Sequence, residues 1–247
     1  MNNTLTTGIL LLQHLATTSK PYGVTELAEQ MKLPKSHVHR LLQTLLDAKY
    51  VEKDCRKYKI GIGALRLGHA LLYDMPVRRI ALPLMQSKAL ETHLQLTLAL
   101  PFGHDALAVA TISPNGKEDN PSVSIGAELK AGFSASGKLF CSYKSKEEQT
   151  KIAKTIDWTT GGPNAAKNEK DWVKKLNMIT KQGYSINDKE ASIDIVSMAV
   201  PIFYDDDHPV AALGTSHIRK DCPPKSWNSI IEQLKDTANQ ITLHLQK

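Results

Sequence analysis

The amino-acid sequence predicts an α+β protein in which a small helical domain precedes a larger domain of mixed strands and helices. Apolar residues recur at helical spacing through the first fifty residues, whereas segments rich in strand-favouring residues alternate with helical segments after Pro76. The 247 residues are enough for two domains with separate cores. We therefore expect domains at 1–61 and 76–247, joined by a linker helix at 62–75.

Two helices are predicted before Pro34. The first has an apolar face made by Leu5, Ile9, Leu12 and Leu15. The second is short and starts with Thr25 as its N-cap, and only Lys32 and Leu33 separate it from Pro34. Lys32, like Lys49 further on, stands where glycine would ease a left-handed backbone, so we predict a positive φ at one or both lysines.

The third predicted helix is amphipathic. Pro34 suits its first position, where the missing N–H has no intrahelical partner. Its apolar face comprises Val38, Leu41, Leu42, Leu45 and Leu46. Taken alone, the opposite face has the simpler interpretation of a solvated helix surface. The preceding short helix and tight turn favour a helix-turn-helix instead.

A basic hairpin follows the third helix. Tyr50 to Asp54 and Lys57 to Ile60 alternate as two short strands around Cys55 and Arg56. A winged helix-turn-helix of this order places its last helix in a DNA groove, where Arg40 matches guanine and Gln43 matches adenine. The expected DNA contacts are Thr25, Lys35, Ser36, His37, Arg40, Gln43, Thr44, Lys53, Arg56 and Lys57, with Lys35 and Ser36 on a phosphate.

The charge distribution agrees with a polyanionic partner for the first domain. Residues 1–75 hold ten Lys or Arg against six Asp or Glu, a net charge of +4. Residues 76–247 hold twenty-one against nineteen, a net charge of +2. Most of the excess positive charge is thus in the smaller part of the chain.

At these residues the chain resembles a known family. LPKSHVHRLLQTLLDAKYVEKD and YKIGIGALRLGHALL resemble the winged helix-turn-helix and linker of IclR-family transcription regulators. GFSASGKLF and GYSINDKEASIDIVSMAVPIFYDDDHPVAALGTS resemble two segments of that family's effector-binding domain. The resemblance implies a GAF-like α/β effector domain with an antiparallel sheet, and a linker that helps to dimerise the DNA-binding domains.

The linker and the second domain carry further expectations. Leucines alternate with small residues from Ile62 to Leu72, which suits pairing with a second copy; packing on its own domain is an equal alternative. A homodimer or a dimer of dimers would require a pseudo-palindromic operator in double-stranded DNA. Helical patterns cover 77–93, 138–143, 147–155, 169–182 and 226–246, and strand patterns cover 96–100, 107–112, 123–125, 197–203 and 210–217.

The segment from Gly132 to Lys138 fits most of a Walker A loop and keeps a nucleotide-binding enzyme or switch open as an alternative. Leu139 stands where that motif needs a Ser or Thr for magnesium. Read as a helix start, with Ser134 or Ser136 as its cap, the same loop presents free N–H groups to a small anionic or polar ligand.

The effector site follows from the resemblance. The matching positions are Ala135, Ser136, Asn187, Ser197, Gly214 and Ser216. Members that bind small keto acids often carry an acidic residue, a cysteine and a serine where this chain has Asn187, Ser197 and Gly214. We therefore expect a neutral, hydroxyl-rich pocket, wider at Gly214, for a bulkier or uncharged metabolite than glyoxylate or pyruvate.

Other function classes are disfavoured. Three distant cysteines argue against disulfides and zinc, and the Asp205 to Asp207 run with His208 suits a turn better than a metal. No membrane-length apolar run or signal peptide is apparent, so we expect a cytoplasmic protein. We expect no catalytic residue, cofactor or metal, and a sequence-specific regulator rather than an architectural DNA binder.

Overall fold

In a computed structural model, the described residues are 3–17, 20–114, 116, 123–205 and 208–246. The chain forms two compact units, Met1–Asp74 and Met75–Lys247. Among the described residues, no helix has both the length and the apolar character needed to cross a membrane. The division into a DNA-binding domain at 1–61, a linker helix at 62–75 and an effector-binding domain at 76–247 stays a prediction.

The N-terminal unit is a winged helix-turn-helix, as predicted. Its elements are α1 (Asn3–Ala16), β1 (Tyr22–Gly23), α2 (Val24–Gln30), α3 (Lys35–Asp47), β2 (Val51–Asp54), β3 (Lys57–Ile60), a 3-10 turn (Ile62–Ala64) and α4 (Leu65–Tyr73). The three strands are antiparallel in the order β1-β3-β2. Leu27, Val38, Leu42 and Tyr58 are buried together in the core, which fixes the inner faces of α2 and α3.

Three local predictions in this unit were wrong. Gly23, not Thr25, is the N-cap of α2, because Glu26 Oε2 accepts the Gly23 N–H at 2.7 Å and closes the first turn. Pro34 is the N-cap of α3 rather than its first residue, with an extended ψ of 136°. On α1, Leu11 and Leu15 are buried, whereas Leu5 and Ile9 of the predicted apolar face are exposed.

The C-terminal unit contains a six-stranded antiparallel sheet in the order β6-β5-β4-β9-β8-β7. The strands are β4 (Leu96–Phe102), β5 (Asp105–Ile112), β6 (Glu128–Leu129), β7 (Ser185–Asp188), β8 (Ile195–Phe203) and β9 (Pro209–Ile218). The helices are α5 (Pro76–Thr92), α6 (Ala135–Ser142), α7 (Lys146–Ala153), α8 (Glu169–Gln182) and α9 (Trp227–Leu245). α6 packs between one face of the sheet and α8, and α5 and α9 pack on the other face. The predicted α+β class is confirmed.

The predicted strand at 123–125 was wrong. Val123 to Ile125 form a turn, in which Ala127 N–H bonds to the Ser124 carbonyl and Gly126 has a φ of 89°. The edge strand starts at Glu128 instead. The short strands β1, β6 and β7 were not predicted. Asp206 and Asp207, expected to form a turn, lie outside the described residues.

Candidate nucleic-acid interface and ligand cavity

The outer face of α3 carries the predicted base-reading residues. Ser36, Arg40 and Thr44 are exposed, while His37 and Gln43 are half-buried at the sides. A terminal guanidinium nitrogen of Arg40 is 3.4 Å from His37 Nδ1. The Thr44 hydroxyl donates to the Arg40 carbonyl. Because burial of Val38, Leu41 and Leu42 fixes the opposite face, this polar face points away from the core.

Two lysines close the helices of the motif in left-handed conformation, as predicted. Lys32 has a φ of 54° and Lys49 a φ of 65°. The N–H of each lysine donates to the carbonyl of the residue three positions earlier in the chain. The N–H of the residue after the lysine donates to the carbonyl five positions before that residue. This is the Schellman arrangement, in which glycine is the usual residue. Both side chains are exposed.

The wing is a hairpin with an exposed basic edge. Asp54 and Lys57 pair across a two-residue turn, in which Cys55 has a φ of 55°. Lys53, Arg56 and Lys57 are exposed, and the Lys53 ammonium lies 5.5 Å from the centre of the Tyr58 ring. The predicted Thr25 contact is exposed in the first turn of α2.

A small cavity lies between the sheet and the start of α6. Ala135, Ser136, Ser197, Gly214 and Ser216 all line it, so the structure brings together five of the six residues predicted for the effector site. Ser197 and Ser216 are cross-strand partners whose hydroxyl oxygens are 3.0 Å apart. None of the described residues that line this cavity carries a charged side chain.

The start of α6 directs hydrogen-bond donors toward this cavity. Ser134 is the N-cap, and its hydroxyl oxygen accepts the Gly137 N–H at 2.9 Å. The N–H groups of Ala135 and Ser136, in the first turn, have no partner within the helix. Together with the positive end of the helix dipole, they favour an oxygen acceptor on a ligand.

The cavity is smaller than the sequence suggested. Its volume is about 30 Å³, enough for roughly two water molecules. The expected widening at Gly214 is wrong, because a Cβ there would lie 2.8 Å from the Met198 carbonyl oxygen. Glycine is thus required by close approach of the neighbouring strand. A ligand of more than a few atoms would need the cavity wall to move.

Asn187 is the predicted residue that does not line this cavity. It is buried at the end of the row Asn187, Ser197 and Ser216, which the register places side by side on β7, β8 and β9. Its side-chain oxygen accepts the N–H groups of Glu190 at 2.9 Å and Ala191 at 3.1 Å. Those bonds hold the turn after β7.

Lys138, the lysine of the Walker-like segment, is turned away from any phosphate. Its ammonium is fully buried and donates to Glu190 Oε1 at 2.6 Å and to the Ile186 carbonyl at 2.8 Å. Lys175 also reaches Glu190 Oε1, at 3.1 Å. A Cβ on Gly137 would lie 2.7 Å from the backbone of Leu129, so this glycine serves packing rather than a phosphate cradle.

Burial lowers the pKa of Lys138 to about 8, although the Glu190 carboxylate opposes this shift. Between about pH 8 and the ordinary lysine value of 10.5, the unfolded chain therefore binds a proton that the folded chain lacks. We expect this residue's contribution to the free energy of unfolding to increase with pH through that window. Urea unfolding of wild type and Lys138→Met at several pH values, with exposed Lys174→Met as control, measures it; a difference independent of pH would contradict it.

Six of the described cavity-lining residues were missed from the sequence: Thr97, Val123, Leu129, Ser134, Met198 and Thr215. Thr97 had a detectable signal. In β4, leucines at 96, 98 and 100 alternate with Thr97 and Ala99, and this alternation assigns the small or polar residues to one face. Val123 and Leu129 lie in a turn and a two-residue strand, for which the sequence carries no periodic pattern.

Comparison with known proteins places both units in one family. The model of the IclR helix-turn-helix domain matches residues 4–54, and that of the bacterial transcriptional regulator IclR C-terminal domain matches residues 69–243. The transcriptional repressor IclR of Escherichia coli K12 is 26% identical over 216 residues, covering 86% of this chain and 78% of the repressor.

Solved structures share the fold. The structure of an IclR transcriptional regulator from Alicyclobacillus acidocaldarius covers all of both chains, with a TM-score of 0.81 and 19% identity. An IclR homologue from Microbacterium hydrocarbonoxydans, solved with 4-hydroxybenzoate, covers 99% of both chains, with a TM-score of 0.78 and 18% identity.

Proposed function

Since this chain belongs to the IclR family of bacterial transcriptional regulators, we propose that it binds a specific operator in double-stranded DNA and that a small metabolite in its C-terminal unit alters this binding. The matched domains and relatives are regulators of transcription and not enzymes. The observation that carries the proposal is the exposed polar face of α3, beside a basic wing, in a folded helix-turn-helix.

Each group of the interface has a physical role in this proposal. Arg40 and Gln43 read base edges in the major groove, because guanidinium and amide groups match guanine and adenine bidentately. Lys35 and Ser36, at the start of α3, hold a phosphate, as do the wing cations Lys53, Arg56 and Lys57. Phosphate contacts set the position of α3, and base contacts supply the sequence preference.

The two left-handed lysines add a testable phosphate contact. Lys32→Gly should raise the free energy of unfolding by about 1 kcal/mol, because it removes left-handed strain from a position that favours glycine. The same change should weaken all DNA binding and make the salt slope shallower by about 0.9. Urea unfolding and salt-dependent DNA titrations measure the two effects.

The control for this variant is Lys32→Ala, which removes the charge and keeps the Cβ. It should weaken DNA binding as much as Lys32→Gly without gaining stability. Equal stability of the glycine and alanine variants would mean that the left-handed conformation is not held in solution.

A homodimer suits the operator proposed here, and α4 supports it. α4 has no buried residue, and Leu65, Leu67, Leu71 and Tyr73 expose most of their surface. Such apolar surface is typical of a helix that meets a partner. Sedimentation of wild type against Leu67→Glu/Leu71→Glu tests the dimer; a monomeric wild type would contradict it.

The effector acts in this proposal by binding unequally to two arrangements of the dimer. A ligand that bound both arrangements alike could not alter operator affinity. The neutral, donor-rich cavity supports a small polar molecule held by hydrogen bonds rather than by a side-chain cation. The alternative of a nucleotide site at Gly132 to Lys138 has no support, because Lys138 is buried against Glu190.

Footprinting on the DNA that flanks the gene tests the whole proposal. We expect a protected, pseudo-palindromic segment whose protection changes when the metabolite is added. Random DNA of equal length serves as the control. A ratio of operator to random affinity near unity at physiological salt would instead indicate an architectural DNA binder.

A further inference from the structure

Thr97 places a buried hydroxyl at the centre of the six-stranded sheet. The residue is 5% exposed, and its Oγ1 has no hydrogen-bonding partner among the described residues. Buried hydroxyls in folded proteins normally have a partner, because an unpaired one has lost its bonds to water. Valine has nearly the same shape and favours strands equally, so packing alone does not explain a threonine here.

The position of Thr97 indicates what this hydroxyl faces. Its register partner on β9 is Gly214, whose partner on β8 is Ala199, so no larger side chain separates Thr97 from the cavity on that side. Thr97 lines the same cavity as Ser197 and Ser216, which occupy the adjacent row of the sheet.

Four other hydroxyls that line this cavity are engaged within the protein. Ser197 and Ser216 lie 3.0 Å apart, oxygen to oxygen. The Thr215 hydroxyl donates to the Gln95 carbonyl at 2.7 Å, and the Ser134 hydroxyl oxygen caps α6. Thr97 Oγ1 differs from these four in having no hydrogen bond at all within the described part of the chain.

We propose that Thr97 is a ligand-binding residue, whose hydroxyl bonds to one oxygen of the effector while the Ala135 and Ser136 N–H groups bond to another. The ligand class that matches these donors is a compact organic molecule with two oxygen functions, such as a short oxo or hydroxy acid, and the cavity wall must move to admit it. Its charge, if it has one, is met by N–H and O–H donors, since the cavity lining within the described ranges contains no cationic side chain. This inference rests on the proposed effector function.

Two substitutions separate a ligand contact from a structural role. Thr97→Val removes the hydroxyl and keeps the shape, and Thr97→Ser keeps the hydroxyl. Urea midpoints are measured without ligand, and thermal shifts are measured with glyoxylate, pyruvate and 4-hydroxybenzoate as probes. We expect ligand-free Thr97→Val to be at least as stable as wild type, because it loses only an unpaired buried group.

The response of Thr97→Val to a ligand should be weaker than that of wild type, although its stability without ligand is not lower. A probe that stabilises wild type should bind Thr97→Val about tenfold more weakly, which is the effect of one lost hydrogen bond in a buried site, and should still stabilise Thr97→Ser. Operator binding by Thr97→Val should lose its response to the same probe while the ligand-free affinity stays at the wild-type value.

Three results would overturn the inference. A lower urea midpoint for ligand-free Thr97→Val would show that the hydroxyl has a structural partner. An undiminished thermal shift in Thr97→Val would show that the ligand does not contact it, while leaving the effector function intact. Failure of every probe to stabilise wild type or change its operator binding would count against the effector function itself, together with the role of Thr97.

Discussion

Replacing Arg40 by alanine is expected to lower the ratio of operator to random-DNA affinity about ten- to a hundredfold. The change removes a guanidinium that is exposed on the outer face of α3 and whose planar fork matches both acceptors of a guanine. A good bidentate pair contributes about 1–3 kcal/mol of discrimination against the wrong base. Competition titrations with operator and scrambled duplexes at one fixed salt concentration measure the ratio.

Lys57→Ala is the matched control, because Lys57 lies on the wing and we assign it to a phosphate. It should weaken operator and random DNA alike, leave their ratio unchanged, and make the salt slope shallower by about 0.9. Arg40→Ala and Lys57→Ala proteins that both kept wild-type operator affinity would refute the placement of α3 in the groove.

The helix-turn-helix could be predicted in detail because its determinants are local. The positive φ values of Lys32 and Lys49 follow from where each helix must end. The hydrogen bonds that end each helix span only five residues, so a short stretch of sequence is enough to infer the left-handed conformation. The cap of α2 was missed because Gly23 has no side chain and leaves the closing bond to Glu26. The sequence offered Thr25 as the more usual capping residue.

The ligand cavity was only partly predictable, because its size depends on contacts between distant strands. Gly214 suggested open space, but the Met198 carbonyl on β8 occupies the region that a side chain would enter. Asn187 lies in one row with Ser197 and Ser216, as expected for a site residue. Its side-chain oxygen, however, accepts two backbone N–H groups of the turn that follows β7. In both cases a backbone group occupies the space or the hydrogen-bond acceptor that a ligand would need, and residue spacing in the sequence does not reveal this.

The pairing of Lys138 with Glu190 was also beyond the sequence, since 52 residues separate the two. Its consequence is the largest stability effect that we expect. Lys138→Met should lower the free energy of unfolding at neutral pH by about 3–5 kcal/mol, because it leaves the Glu190 carboxylate buried without its main partner. Urea unfolding of the full chain measures this loss.

A double variant shows whether the loss arises from the stranded charge or from packing. Lys138→Met/Glu190→Leu removes both buried charges, and Lys175, which is one-third exposed, can turn its ammonium to water. Replacing a whole buried pair by apolar groups is often neutral, so the double variant should be more stable than Lys138→Met alone. If the double variant were as unstable as the single one, the volume and bonds of the Lys138 side chain would be what α6 requires. Recovery of stability would instead mean that the loss in Lys138→Met arises from the Glu190 carboxylate left buried without its main partner.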